Sequence, residues 1–184
     1  SFNPFVPADA EASGIPVAIL RYVLHNKTKR TVHATLCASM RNFIGADGQS
    51  GKPLGNTNTY RDEERLRGLF MSSGGVDKAA EQFGTIALAT TSQEGSYRCA
   101  WPAEGWSAAL LHFWDDLSGD GKLDPLESTP QDAPMGSLTA EATIPPREER
   151  SVTFLLTWHF PNRQTWTPAK ENCCDQGEGS CCGP

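Results

Sequence analysis

The run SVTFLLTWHF, residues 151–160, decides the fold class. Val152, Phe154, Leu156, Trp158 and Phe160 occupy every second position, so an extended chain puts all five on one face, whereas a helix would scatter them around its axis. The run is also rich in β-branched and aromatic residues, which suit a pleated, half-buried surface. It reads as a strand laid against a core.

The same period of two recurs outward from this strand. Residues 17–24 alternate Ala18, Leu20, Tyr22 and Leu24 with Val17, Ile19, Arg21 and Val23, which predicts a largely covered strand. After turn chemistry at 26–30, residues 31–40 set Val32, Ala34, Leu36, Ala38 and Met40 against Thr31, His33, Thr35, Cys37 and Ser39, a half-buried strand with a polar outer face. The two are expected to form a long antiparallel hairpin. Further strands are expected at 66–71, 85–91 and 138–144, the last separated from the opening run by Pro145 and Pro146. Residues 45–61, rich in Gly, Asn, Thr and Ser, read as a long surface loop of the functional or mobile kind. Helix signals are confined to a turn or two at 77–82 and a short amphipathic stretch at 106–115. The expected fold is therefore mainly β, an antiparallel two-sheet β-sandwich with one or two short helices, spanning 1–166 and followed by a Cys/Gly-rich tail at 167–184.

Composition narrows the partners. The chain has 184 residues, 38% of them hydrophobic and 21% charged, enough to bury a real core. A formal charge of -6 and the lack of a Lys/Arg run argue against nucleic acid. No apolar run approaches the roughly 20 residues of a transmembrane segment. The absence of a visible signal peptide favours the cytoplasm, although a leader could lie upstream or have been removed. Cys37 and Cys99 read as small buried hydrophobes. The tail pattern of Cys173, Cys174, Cys181 and Cys182 departs from the C-x2-C spacing of zinc sites and suits a disulfide pair or a Gly-rich tail better.

The stretch with the most definite chemistry is DLSGDGKLDPLE, residues 116–127. Asp116, Ser118, Asp120, Lys122 (through its carbonyl), Asp124 and Glu127 stand at the ligand positions of an EF-hand calcium loop, with Gly121 at the turn and Leu123 inward. Pro125 and Pro130 block an exiting helix, so a capping loop whose aspartates accept backbone amides is the competing reading. Any calcium bound there would be structural. Near this loop, Glu104, Asp115, Asp116 and Asp120 lie among Trp101, Trp106, Phe113 and Trp114, a composition found in sugar sites; burial of the aromatics as core is the favoured alternative. The four histidines lack zinc-hydrolase spacing, and Ser107 in G-W-S-A lacks a nucleophile elbow. Asn26-Lys27-Thr28 is a glycosylation sequon, relevant in a secreted eukaryotic protein.

Taken in order, four segments resemble the N-terminal domain of glycoside hydrolase family 116, the non-lysosomal glucosylceramidases and related β-glucosidases. These are SFNPFVPADAEASGIPVAILRYVLHN at the start, RNFIG at 41–45, FWDDLSGDGKLD at 113–124 and LLTWHFPNR at 155–163. The resemblance implies a β-sandwich packed against a catalytic (α/α)6 barrel in a retaining enzyme acting on β-glucosides or a glucosylceramide-like substrate. The family's nucleophile and acid/base residues lie in that helical domain, which has no counterpart in this sequence. No catalytic residue is carried over, and the chain is expected to be a portion of a larger enzyme. The alternative expectations are a free-standing carbohydrate-binding sandwich, using residues 45–61 and exposed tryptophans, and a calcium-stabilised interaction module.

Overall fold

A computed structural model describes residues 6–102 and 105–164. The elements are α1 (Ala10–Ser13), β1 (Val17–His25), β2 (Val32–Arg41), β3 (Asn56–Asp62), β4 (Arg67–Ser73), β5 (Thr85–Thr90), β6 (Tyr97–Arg98), α2 (Trp106–Asp120), β7 (Met135–Ile144) and β8 (Glu149–His159). A five-stranded sheet runs β1-β8-β5-β4-β3 and a three-stranded sheet runs β2-β7-β6, with every pairing antiparallel. The expected mainly β, two-sheet architecture is what the chain adopts. Between the sheets lie Leu69, Met71, Ile86, Leu88, Leu138, Ala140, Val152 and Phe154, all buried. Val152 and Phe154 are the inner end of the apolar face that opened the sequence reading.

The expected hairpin of the first two strands does not form. β1 pairs with β8, from Val17 opposite Thr157 to His25 opposite Glu149, while β2 pairs with β7, from Val32 opposite Ile144 to Arg41 opposite Met135. The turn between β1 and β2 therefore carries the chain from one sheet to the other, and so does the turn between β7 and β8. The reason lies in the side chain of Asn26, which is only 4% exposed. Its Nδ2 donates to the carbonyls of Arg30 (2.7 Å), Ile144 (2.9 Å) and Pro145 (3.0 Å), and its Oδ1 accepts from the N–H and hydroxyl of Thr28. One amide thus ties both corners together. Pro145 and Pro146 cannot donate to a ladder, which stops β7 from continuing directly into a paired β8. The sequon asparagine is consumed by this staple.

Three other expectations change. Residues 45–61 do not remain a loop: β3 occupies 56–62, and its inward residues are Asn56 and Asn58 rather than apolar ones. The segment 77–82 forms turns closed by Ala80 N–H to Asp77 C=O and Phe83 N–H to Ala80 C=O, with no helix. β1 is not covered. Leu20 and Tyr22 lie opposite Phe154 and Val152 and so face inward, yet both stay exposed along a cleft shared with Leu36 and Met40 of the smaller sheet. Ile19 and Val23, on the outer face, are 64% and 57% exposed.

Candidate functional site

The acidic stretch lies beside α2, which runs through Asp116, Ser118 and Asp120 before closing on Gly121. Gly121 sits at φ 79° and its N–H returns to the Leu117 carbonyl, the left-handed cap that glycine adopts without strain. Helical geometry at the first three ligand positions spreads their side chains around an axis instead of wrapping them about an ion. The Asp116 carboxylate is already engaged: its Oδ2 accepts from Arg98 Nη2 at 2.7 Å and from the Asp124 N–H at 3.0 Å. Asp120 Oδ1 accepts from the Lys122 N–H at 2.9 Å, and Asp124 gives its carbonyl to Arg98 Nε at 3.0 Å. Glu127 lines a separate cleft with Arg98, Trp101 and His112. Leu123 is buried, as expected of the inward position.

Among the described residues no group of three or more His, Cys, Asp or Glu side chains is placed to hold a metal ion. In this arrangement the cation paired with the Asp116 carboxylate is Arg98. The guanidinium is 2% exposed and also donates through Nη1 to His112 Nδ1 at 3.2 Å. A guanidinium only donates, so Nδ1 accepts and the ring proton of His112 sits on Nε2. Arg98 stands alone in sequence among polar and aromatic residues, and nothing in the local pattern announces its role.

Of the aromatic residues near this stretch, Trp101 is half-buried, stacks on Phe113 at 4.6 Å and donates its indole N–H to Ser137 Oγ at 2.8 Å. Trp114 is 60% exposed. Glu104, the tail cysteines and the opening SFNPF lie outside the described residues, and the structure describes Trp106 as a helical residue without its side chain.

A second concavity was not anticipated. It is a cleft of about 640 Å³ at one end of the larger sheet, lined by Phe43, Asp47, Gln82, Trp158, Phe160 and Arg163, among others. Phe43 and Phe160 stack with their rings 6.5 Å apart, and Trp158 is 40% exposed beside them. Asp47 is fixed by its own loop. Its Oδ1 accepts the N–H groups of Gln49 and Gly51, both at 2.8 Å, and its Oδ2 accepts Gln82 Nε2 at 3.0 Å. Those two backbone N–H groups are the main reason its carboxyl is held below the usual carboxylate range. The loop can turn tightly because Gly45 adopts φ 99°, where an added Cβ would lie 2.5 Å from the Lys52 carbonyl oxygen.

Buried asparagines anchor this wall. Asn42 Nδ2 donates to Asn58 Oδ1 and to the Ser72 carbonyl, both at 3.0 Å, and Asn56 Nδ2 donates to the carbonyls of Asn42 and Ile44. On the opposite wall, Asn162 Nδ2 donates to the Lys78 and Ala80 carbonyls at 2.7 and 3.1 Å. The segments RNFIG and HFPNR therefore meet at one cleft although more than half the chain separates them. That shared place was invisible in the sequence because four separate stretches line it, at residue 16, 43–47, 82 and 158–163.

Both segments also carried the resemblance drawn from the sequence. Comparison with protein families matches residues 1–173 to the family described as beta-glucosidase 2, glycosyl-hydrolase family 116 N-term. With nearly the whole chain covered and the two-sheet fold in place, the chain belongs to the N-terminal domain family of glycosyl hydrolase family 116.

Proposed function

We propose that the chain is the non-catalytic β-sandwich portion of a retaining β-glucosidase or glucosylceramidase, and that it supports a helical (α/α)6 catalytic domain. The observation that carries this reading is the uncovered apolar surface of β1. Ile19 and Val23 face solvent on one side, and on the other Leu20 and Tyr22 open into an apolar cleft of about 520 Å³ with Leu36, Met40, Leu88 and Phe154. A contiguous apolar surface of this kind on a folded domain marks a place where another body packs. The acid inventory points the same way. Retaining hydrolysis needs two carboxyl groups about 5–5.5 Å apart, one free to attack and one to carry a proton. Asp116, a residue of α2, has its Oδ2 committed to Arg98 and to a backbone amide, which takes that oxygen out of either task.

The test is hydrolysis of an aryl β-glucoside by the purified chain and by the same chain joined to a family 116 helical domain. The expected outcome is no turnover in the first preparation and turnover in the second. Hydrolysis by the chain by itself would overturn the proposal.

A further inference from the structure

We propose that the cleft between Trp158 and Asp47 binds a neutral pyranoside, a sugar-binding role separate from hydrolysis. A pyranose ring has two kinds of surface: a face of C–H groups that packs on an aromatic plane, and a rim of hydroxyls that each donate and accept. The cleft offers both. Its lining includes Trp158, 40% exposed, and the stacked pair Phe43 and Phe160. Its rim carries the Asp47 carboxylate, the Gln82 amide and the Arg163 guanidinium.

These rim groups retain bonding capacity. Asp47 Oδ2 has a single protein donor, Gln82 Oε1 has no donor among the described residues, and the Arg163 guanidinium has neither hydrogen bond nor ion pair among them. Acceptors and donors are therefore both available in an aromatic cleft, as a ring of hydroxyls requires. Charge narrows the class further. With His159 neutral, the Asp47 carboxylate and the Arg163 guanidinium are the charged groups of the lining and balance each other, so neither an anion nor a cation is selected, and a wholly apolar ligand would strip water from Asp47 without replacing it. The volume of about 640 Å³ lies within the range of ordinary ligand sites. Asp47 is held in place before any ligand arrives, by Gln49, Gly51 and Gln82, so little ordering is required on binding. The reading rests on the proposed function only in the choice of a glucoside as the probe.

The experiment titrates methyl β-D-glucopyranoside and cellobiose into the 184-residue chain, followed by amide NMR shifts. Saturable shifts are expected at residues 43–51, 82 and 158–163, with a dissociation constant on the order of 1 mM, usual for a single small ring with few contacts. Trp158→Ala and the isosteric Asp47→Asn should each weaken binding about tenfold or more, equivalent to about 1.4 kcal/mol. Trp114→Ala, at an exposed tryptophan elsewhere, should leave it unchanged. If Trp158→Ala does not fold, Asp47→Asn still decides. Absence of saturable shifts, shifts indifferent to Trp158 and Asp47, or a cleft closed to sugar once a helical domain is joined would each overturn the proposal. None of these results depends on whether the chain hydrolyses a glucoside, so failure of the site and failure of the proposed function are read separately.

Discussion

Replacing Asn26 by alanine removes the amide that ties the two corners of the sandwich. Three carbonyls lose a donor, and the Thr28 N–H and hydroxyl lose an acceptor. The Ile144 contact is buried, so its carbonyl is left without water, whereas the Arg30, Pro145 and Thr28 groups are partly open and can rehydrate. An orphaned buried acceptor costs about 1–3 kcal/mol and each exchanged neutral bond about 0.5–1.5 kcal/mol, which places the total near ~3 kcal/mol after partial rehydration. For a chain of this length the melting temperature should then fall by about 6–12 °C. Urea unfolding of Asn26→Ala, read by circular dichroism, measures the change directly; the midpoint should drop with an unchanged slope. Asn26→Asp should be at least as damaging, since a carboxylate cannot donate to carbonyls. Adding Thr28→Ala should cost less in the Asn26→Ala background than in the wild type, because the two share one network. A loss below about 1 kcal/mol for Asn26→Ala would refute the staple, because it would put the net value of the whole set at a single hydrogen bond.

Asp116→Asn should destabilise by about 3–5 kcal/mol in the same assay, because Arg98 would be left as a buried cation without its counter-charge. Calcium should leave the melting temperature equal to that in chelator, since Arg98 holds the carboxylate an ion would need and a ligand raises stability only by binding the fold; a rise of several degrees would restore the calcium loop. Cys99 is buried, and that burial pushes its thiol up to about 11 from 9.0. The folded thiol therefore ionises after the unfolded one: its contribution is complete below pH 9.0 and is lost as pH rises toward 11, by ~2–3 kcal/mol in all. Correspondingly, a disulfide reagent at pH 8 should label Cys99 only after denaturant is added, and rapid labelling of Cys99 itself in the native chain, read by peptide mass, would contradict the burial.

The strands that were legible are those in which apolar and polar residues alternate in register with burial. β8 shows its inner face through Val152 and Phe154, and β2 alternates as its half-buried setting requires. β1 was misread because almost every residue in it is apolar, so the period marks no face, and exposure there depends on how far the second sheet extends. β3 was hidden by chemistry: its inward residues are asparagines, buried because both bond to Asn42 and to carbonyls, and a hydrophobic pattern cannot register them. The spacing of the acidic stretch records oxygen atoms along the chain, and it gave no sign of the cation that pairs with Asp116, Arg98, which precedes α2. The aromatic cleft had only indirect signs, a glycine-rich segment at 45–55 and an aromatic strand end at 158–160. Its walls come together through asparagine side chains whose partners no local rule identifies.

The arrangement of the corners has a consequence for how the chain acquires its shape. β1 and β2 are made well before the partners they take, β8 and β7. Neither can pair until those later strands exist, so their apolar residues must wait through the synthesis of the intervening strands. Long-range pairing of this kind makes folding slow and leaves growing chains open to association with one another. Asn26 joins the picture only at the last step, when the carbonyls of Ile144 and Pro145 arrive, which makes its amide a latch set after assembly and not a seed for it.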